Sequence, residues 1–126
     1  MPRIEKQNKA LVRRIYEDMW NKGDVSVASE IFVRPEGVER FMREFLTAFP
    51  GLHHSVEELI AEGDRLVARF SAEGMHTGPW KQYAPSGKAI HYTGVTVAQI
   101  KGDKIIHHRT WWDTMELVEQ IRGENS

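Results

Sequence analysis

The chain has 126 residues, 40% of them hydrophobic, with 17 Lys and Arg against 18 Asp and Glu, a formal charge of -1 and no cysteine. This length argues for one domain over residues 1–126, and the composition supports a packed core. The near-neutral balance, with no basic run, argues against nucleic-acid and anionic-membrane partners, and the lack of cysteine excludes disulfides, thiol nucleophiles and thiolate metal sites. No signal-peptide core or bilayer-length apolar run is visible, so a cytoplasmic location is expected.

The first predicted element is a helix whose apolar stripe is Leu11, Val12, Ile15, Tyr16, Met19 and Trp20. Asn21-Lys22-Gly23 stops it, and Asp24 caps a short second helix through Val25, Ala28 and Ile31. Pro35 suits the first turn of a third helix with the stripe Val38, Phe41, Met42, Phe45 and Phe49, ended by Pro50-Gly51. Four strands follow, at 54–61, 65–75, 89–100 and 104–112. Glu62-Gly63-Asp64 and Lys101-Gly102-Asp103 read as tight hairpin turns, and residues 78–87 as a longer loop. A last helix opens at Asp113-Thr114-Met115-Glu116. Helices first, then an antiparallel meander and a closing helix, predict an α+β fold.

Strand alternation sorts the side chains. One face carries Leu66, Ala68, Phe70 and Ala72, then Tyr92, Gly94, Thr96 and Ala98, as a helix-covered pocket requires. The other mixes branched apolar and charged residues. In the last strand His108, Thr110 and Trp112 share one face, while His107, Arg109 and Trp111 share the other. An indole on each face implies that neither is fully solvated, so a homodimer through the sheet is expected.

The strings NKALVRRIYEDMWNKGD, LIAEGDRLVARFSAEGMHTG, PSGK and KGDKIIHHRTWWDTMELVEQI together resemble the SnoaL-like polyketide cyclase (ester cyclase) family of the NTF2-like superfamily. The resemblance implies a cone-shaped α+β barrel, with N-terminal helices packed in a curved antiparallel sheet around a ligand pocket. It also implies cofactor-free aldol-type ring closure of polyketide esters, and often dimers through the outer sheet. The family's acid/base group is a carboxylate on the last long strand, two residues after a histidine on the same face. Here that histidine is His108 and the carboxylate position holds Thr110, whose hydroxyl can hydrogen-bond an enolate but is too weak an acid for proton transfer at neutral pH. Relatives also place a strand and loop between the second and third helices, where this chain has only ASEIFVRPEGVERF. Either a pocket wall is lost, leaving the cavity wider and wetter, or the residues as numbered skip a loop.

On this reading His108 is the candidate base, since imidazole titrates near neutral pH, although a buried histidine satisfied by a hydroxyl or carbonyl has the same pattern. Thr110 is the second candidate catalytic residue. Tyr16, Met19 and Trp20 would cover the cavity from the first helix, with Tyr16 as the one hydrogen-bond donor to a ligand. Tyr92, Thr96 and Trp112 would line it by parity, and His76 would stand at its mouth or stabilise a turn. Asp113, with Glu116 three residues on, has the form of a helix cap, which makes it a poor base. The pairs His53-His54 and His107-His108 cannot converge on one ion, because strand neighbours face opposite ways, so no metal or other cofactor is expected. The leading expectation is a domain that binds a small, largely apolar, oxygenated molecule, with cyclase-type proton transfer as its chemistry. The rivals are a non-enzymatic ligand-binding or dimeric interaction domain, and an isomerase or epoxide hydrolase.

Overall fold

In the computed structural model, which describes residues 2–123, the first helix changes character halfway. Helix α1 (Pro2–Arg14) is an α-helix, and Ile15–Trp20 continues it as a π-helix. The wider turn is visible in the bond from Asn21 N–H to the Tyr16 carbonyl at 2.8 Å, five residues back. It turns Ile15, Tyr16, Met19 and Trp20, all buried, to one side. Asp24 then caps a single 3-10 turn (Val25–Val27) by accepting from Ser26 N–H, and α2 (Ala28–Ile31) follows. Helix α3 spans Glu36–Ala48, after Pro35. Its buried residues are Met42, Phe45 and Ala48, whereas Phe41, expected on the apolar stripe, is 46% exposed.

The strands are β1 (His53–Glu62), β2 (Arg65–Met75), β3 (Ala89–Lys101) and β4 (Lys104–Trp112), antiparallel in the order β1-β2-β3-β4. As expected, the helices pack against one curved antiparallel sheet, and the sheet is open, since β1 and β4 do not pair. Two irregularities bend it. The β1–β2 register shifts between Val56 and Glu58. The β3–β4 register steps from Gln99 opposite His107 to Ile100 opposite Ile105, leaving Ile106 as the extra residue. Gly63 and Gly102 take positive φ in the two hairpin turns, a conformation that costs an L side chain strain.

The inner face forms rows across the strands: His54, Ala72 and Tyr92; then Val56, Phe70, Gly94 and Trp112; then Leu59, Ala68, Thr96 and Thr110; then Ala61, Leu66, Ala98 and His108. Small residues alternate with rings, so aromatic side chains lie over alanine and glycine. A Cβ at Gly94 would stand 2.5 Å from the Phe70 ring and 2.7 Å from the Trp111 carbonyl oxygen.

Side-chain amides complete two stretches of exposed strand backbone. Asn21 donates to the His54 carbonyl at 2.9 Å and accepts from His54 N–H at 2.7 Å, while Gln120 of α4 (Thr114–Arg122) makes the same pair of bonds to His91, both at 2.7 Å. The short segment between α2 and α3 makes one parallel bridge, Phe32 to Ile105, along the free edge of β4. It leaves the rest of that edge uncovered, and His107, His108, Arg109 and Thr110 are exposed.

Candidate functional site

Between the π-helix, α3 and the inner face of the sheet lies a cavity of about 440 Å³, within the range of small-molecule sites. Tyr16, Met19, Trp20, Tyr92, Thr96, His108, Thr110 and Trp112 all line it. His76 does not. It is fully buried behind Phe49, their ring centroids 5.3 Å apart, and its Nδ1 accepts from Ser86 N–H at 3.2 Å. Its parity is that of the apolar face, but its ring packs on Phe49, which packs in turn on Trp80, and its Nδ1 ties it to Ser86 of the 78–87 loop.

Three hydroxyls run in series up one wall. Tyr16 Oη lies 2.7 Å from Thr96 Oγ1, which lies 2.8 Å from Thr110 Oγ1 directly across the β3–β4 pair. The Tyr16 hydroxyl, expected to be free for a ligand, is thus taken by Thr96, and the chain reaches the cavity mouth at Thr110. Burial pushes the Tyr16 phenol up to about 12, so it stays protonated at physiological pH and keeps a hydrogen to donate. His108, two residues from Thr110 on the same face, is exposed at the mouth, with its ring 4.7 Å from that of Phe32. Desolvation lowers its pKa, which favours the neutral, proton-accepting imidazole.

Among the described residues, no carboxylate lines the cavity. Asp113 is the N-cap of α4, accepting from Glu116 N–H at 2.9 Å, and does not border the cavity. The one fixed charge among the described lining residues is that of Arg109, while the pairs Arg14–Asp18 and Arg14–Glu30 are partly exposed at the surface.

Sequence reasoning missed His54. This side chain is 4% exposed and lines the cavity among Tyr16, Trp20, Phe70 and Tyr92, with ring centroids 5.1–6.1 Å away. Its Nε2 lies 3.4 Å from the Tyr92 hydroxyl, and its Nδ1 is buried without a hydrogen bond. Burial, with a smaller push from the neighbouring His53, brings its pKa down to about 3, so the ring is neutral at physiological pH. The signal was a polar residue on the inward parity of β1, in step with Val56. Phe32, Val38, Phe41 and Phe45 complete the apolar lining and were read only as helix stripe or connector.

Known proteins similar to this chain are consistent with this architecture. The family model for the SnoaL-like polyketide cyclases matches residues 10–121. Among solved structures, a protein from Jannaschia sp. CCS1, named as a proposed SnoaL-like polyketide cyclase, is 25% identical with a TM-score of 0.87, over 94% of this chain and 93% of that one. TsrD from Streptomyces laurentii is 20% identical with a TM-score of 0.86, over 95% of this chain and 97% of its own. AclR from Streptomyces galilaeus, named as a proposed hydroxylase, is 21% identical with a TM-score of 0.85, over 94% and 83%. No curated protein matches the chain. With a curved α+β sheet around an apolar cavity and a family match over most of its length, this chain belongs to the SnoaL-like polyketide cyclase family, on an NTF2-like fold.

Proposed function

We propose that the domain binds a small, largely apolar, oxygenated molecule and carries out cofactor-free proton transfer of the cyclase type. His108 is the base in this reading. It takes a proton from carbon α to a carbonyl, the electron pair moves onto that carbonyl oxygen, and Thr110 donates a hydrogen bond to the resulting enolate. The observation that carries the reading is the hydroxyl series ending beside His108. When Tyr16 is the donor to Thr96 and Thr96 the donor to Thr110, the three dipoles align towards one point, and such chains strengthen one another in a low-dielectric site. Carbon–carbon bond closure then follows by attack of the enolate carbon on a second carbonyl of the same molecule, and the proton held on His108 passes to the oxygen of that second carbonyl, which becomes the product hydroxyl and leaves the imidazole neutral again.

The expected result is that His108→Gln lowers turnover of a β-keto ester on a polycyclic scaffold by 10²–10⁴-fold while binding stays within a fewfold. Turnover unchanged in that variant removes His108 as base. The complementary variant, Thr110→Asp, restores a carboxylate at the family's position and gains activity if the scaffold keeps that geometry.

The lack of a carboxylate among the described lining residues favours a second reading, a ligand-binding domain without catalysis, because this fold carries different reactions and its shape alone selects none. Binding of polycyclic ketones with no turnover in the unmodified protein decides for it.

We also propose that two copies pair through the outer face of the sheet. Ile60 and Trp111 are more than half exposed there, and the rows Ile60, Val67, Val97 and Glu58, Arg69, Val95, Trp111 run across it. Sedimentation at micromolar concentration should give a dimer, converted to monomer by Trp111→Lys. A monomer before substitution rejects this pairing.

A further inference from the structure

Among the described residues, two buried side-chain nitrogens have no hydrogen-bond partner, His54 Nδ1 and His76 Nε2. A buried polar atom left unpaired costs about 1–3 kcal/mol, so each calls for an account. His76 lies behind Phe49, outside the cavity, and its other nitrogen is bonded to Ser86. His54 borders the cavity.

The placement of His54 is closely determined. Asn21, at the end of the π-helix, bonds both its backbone groups on the free edge of β1, while β2 pairs with it on the other side. Ala72, between His54 and Tyr92 in the row, is small enough for the two side chains to meet across it. The Tyr92 hydroxyl has His54 Nε2 as its one hydrogen-bond partner among the described residues. A phenol is the acid of such a pair and a neutral imidazole the base, so Tyr92 donates to Nε2 and the imidazole hydrogen resides on Nδ1. That leaves a hydrogen-bond donor without an acceptor, surrounded by the rings of Trp20, Tyr16 and Phe70.

We infer that His54 is a second recognition group of this cavity, whose Nδ1–H takes a carbonyl or ether oxygen of an otherwise apolar, ring-bearing ligand on the β1 side. The inference rests on the proposed ligand-binding cavity and narrows its substrate class. His108 and Thr110 stand on β4, separated from β1 by two strands, so the ligand carries two oxygens: one recognised by His54 and the reacting one at Thr110. The ring is neutral at physiological pH, which suits a neutral acceptor such as a ketone and gives no ion-pair attraction for a carboxylate.

The test compares a bicyclic ketone, 1-tetralone, with the hydrocarbon tetralin of the same shape, titrated into the unmodified protein, His54→Leu and Thr110→Val. The expected result is a five- to tenfold preference for the ketone that is lost in His54→Leu, with tetralin affinity unchanged or improved. In protein carrying 15N-labelled histidine, the His54 Nδ1 signal, identified by its disappearance in His54→Leu, moves on addition of 1-tetralone and not of tetralin. A preference that survives in His54→Leu, or that is lost only in Thr110→Val, overturns the inference. So does an unmoved Nδ1 signal. Failure of both probes to bind the unmodified protein overturns the cavity reading and this inference together, whereas binding of both without dependence on His54 overturns this one alone.

Discussion

Between pH 6.5 and pH 4 the unmodified domain loses roughly 3 kcal/mol more unfolding free energy than His54→Leu does. The sign follows from where the proton binds. His54 is held neutral in the folded chain, with its pKa brought from 6.5 down to about 3 by burial. Unfolding frees the ring to take up a proton once the pH falls below 6.5, while the folded ring takes none until near 3. The stabilisation is therefore complete above 6.5 and is lost as the pH falls through that window. Among the described residues no carboxylate offsets it: the rings packed around it are those of Tyr16, Trp20, Phe70 and Tyr92, and the one charge acting on it, from His53, pushes the same way. His76 and His108 have lowered pKa values too and add a smaller loss of the same sign, which the His54→Leu variant retains. At neutral pH the leucine variant should lie within about 1 kcal/mol of the parent, because an unpaired nitrogen is removed and the Tyr92 hydroxyl loses its long bond. Urea titrations at fixed pH values measure both quantities. Parallel acid limbs would show that His54 is not the group responsible.

How far the sequence led depends on which physical rule governed each part. Strand alternation has period two and no competing pattern, so the inward set from Leu66 to Ala98 was legible. The opposition of Thr96 and Thr110 was not, because the turn pairs Lys101 with Lys104 and Ile100 with Ile105, a register that would set Thr96 against Arg109, and only the extra residue Ile106 brings Thr110 opposite. Asp24 and Asp113 were legible as caps because a side-chain oxygen placed before a helix has a local target. The features that went unread depend on distant partners. The shift near Glu57 changes which residues of β1 face inwards, and only the β2 register reveals it, so His54 was weighed as a metal ligand and not as a cavity residue. His76 has the expected parity, yet what it meets is set by Phe49, twenty-seven positions away in sequence, at the end of α3. The π-turn leaves no periodic trace over six residues, although it aims both Tyr16 and Asn21.

Phe49→Ala should cost about 4–5 kcal/mol and Phe45→Ala about 3 kcal/mol, although the same ring is removed four residues apart on one helix. Phe45 is the hub of the aromatic core, with ring centroids 4.7–6.1 Å from Trp20, Phe41, Phe49, Trp80, Tyr92 and Trp112. By count of neighbours alone it would be the worse loss. Its ring, however, lines the cavity, so the space it vacates merges with a hollow already in contact with solvent, and water or a shifted Phe41 can occupy it. Phe49 is 0% exposed and does not line the cavity. Truncating it leaves a closed void between His76 and Trp80, neither of which can move inwards without breaking the loop bonds from Ser86 to His76 and between Trp80 and Tyr83. A sealed void forfeits its contacts outright, which is why the price of a deleted ring depends on how far the site can refill. Against a total stability of roughly 5–15 kcal/mol, either loss is visible as a lower urea midpoint at unchanged slope. If Phe45→Ala proves the more damaging of the two, the cavity is closed and dry in solution, and the space assigned to a ligand is packed core.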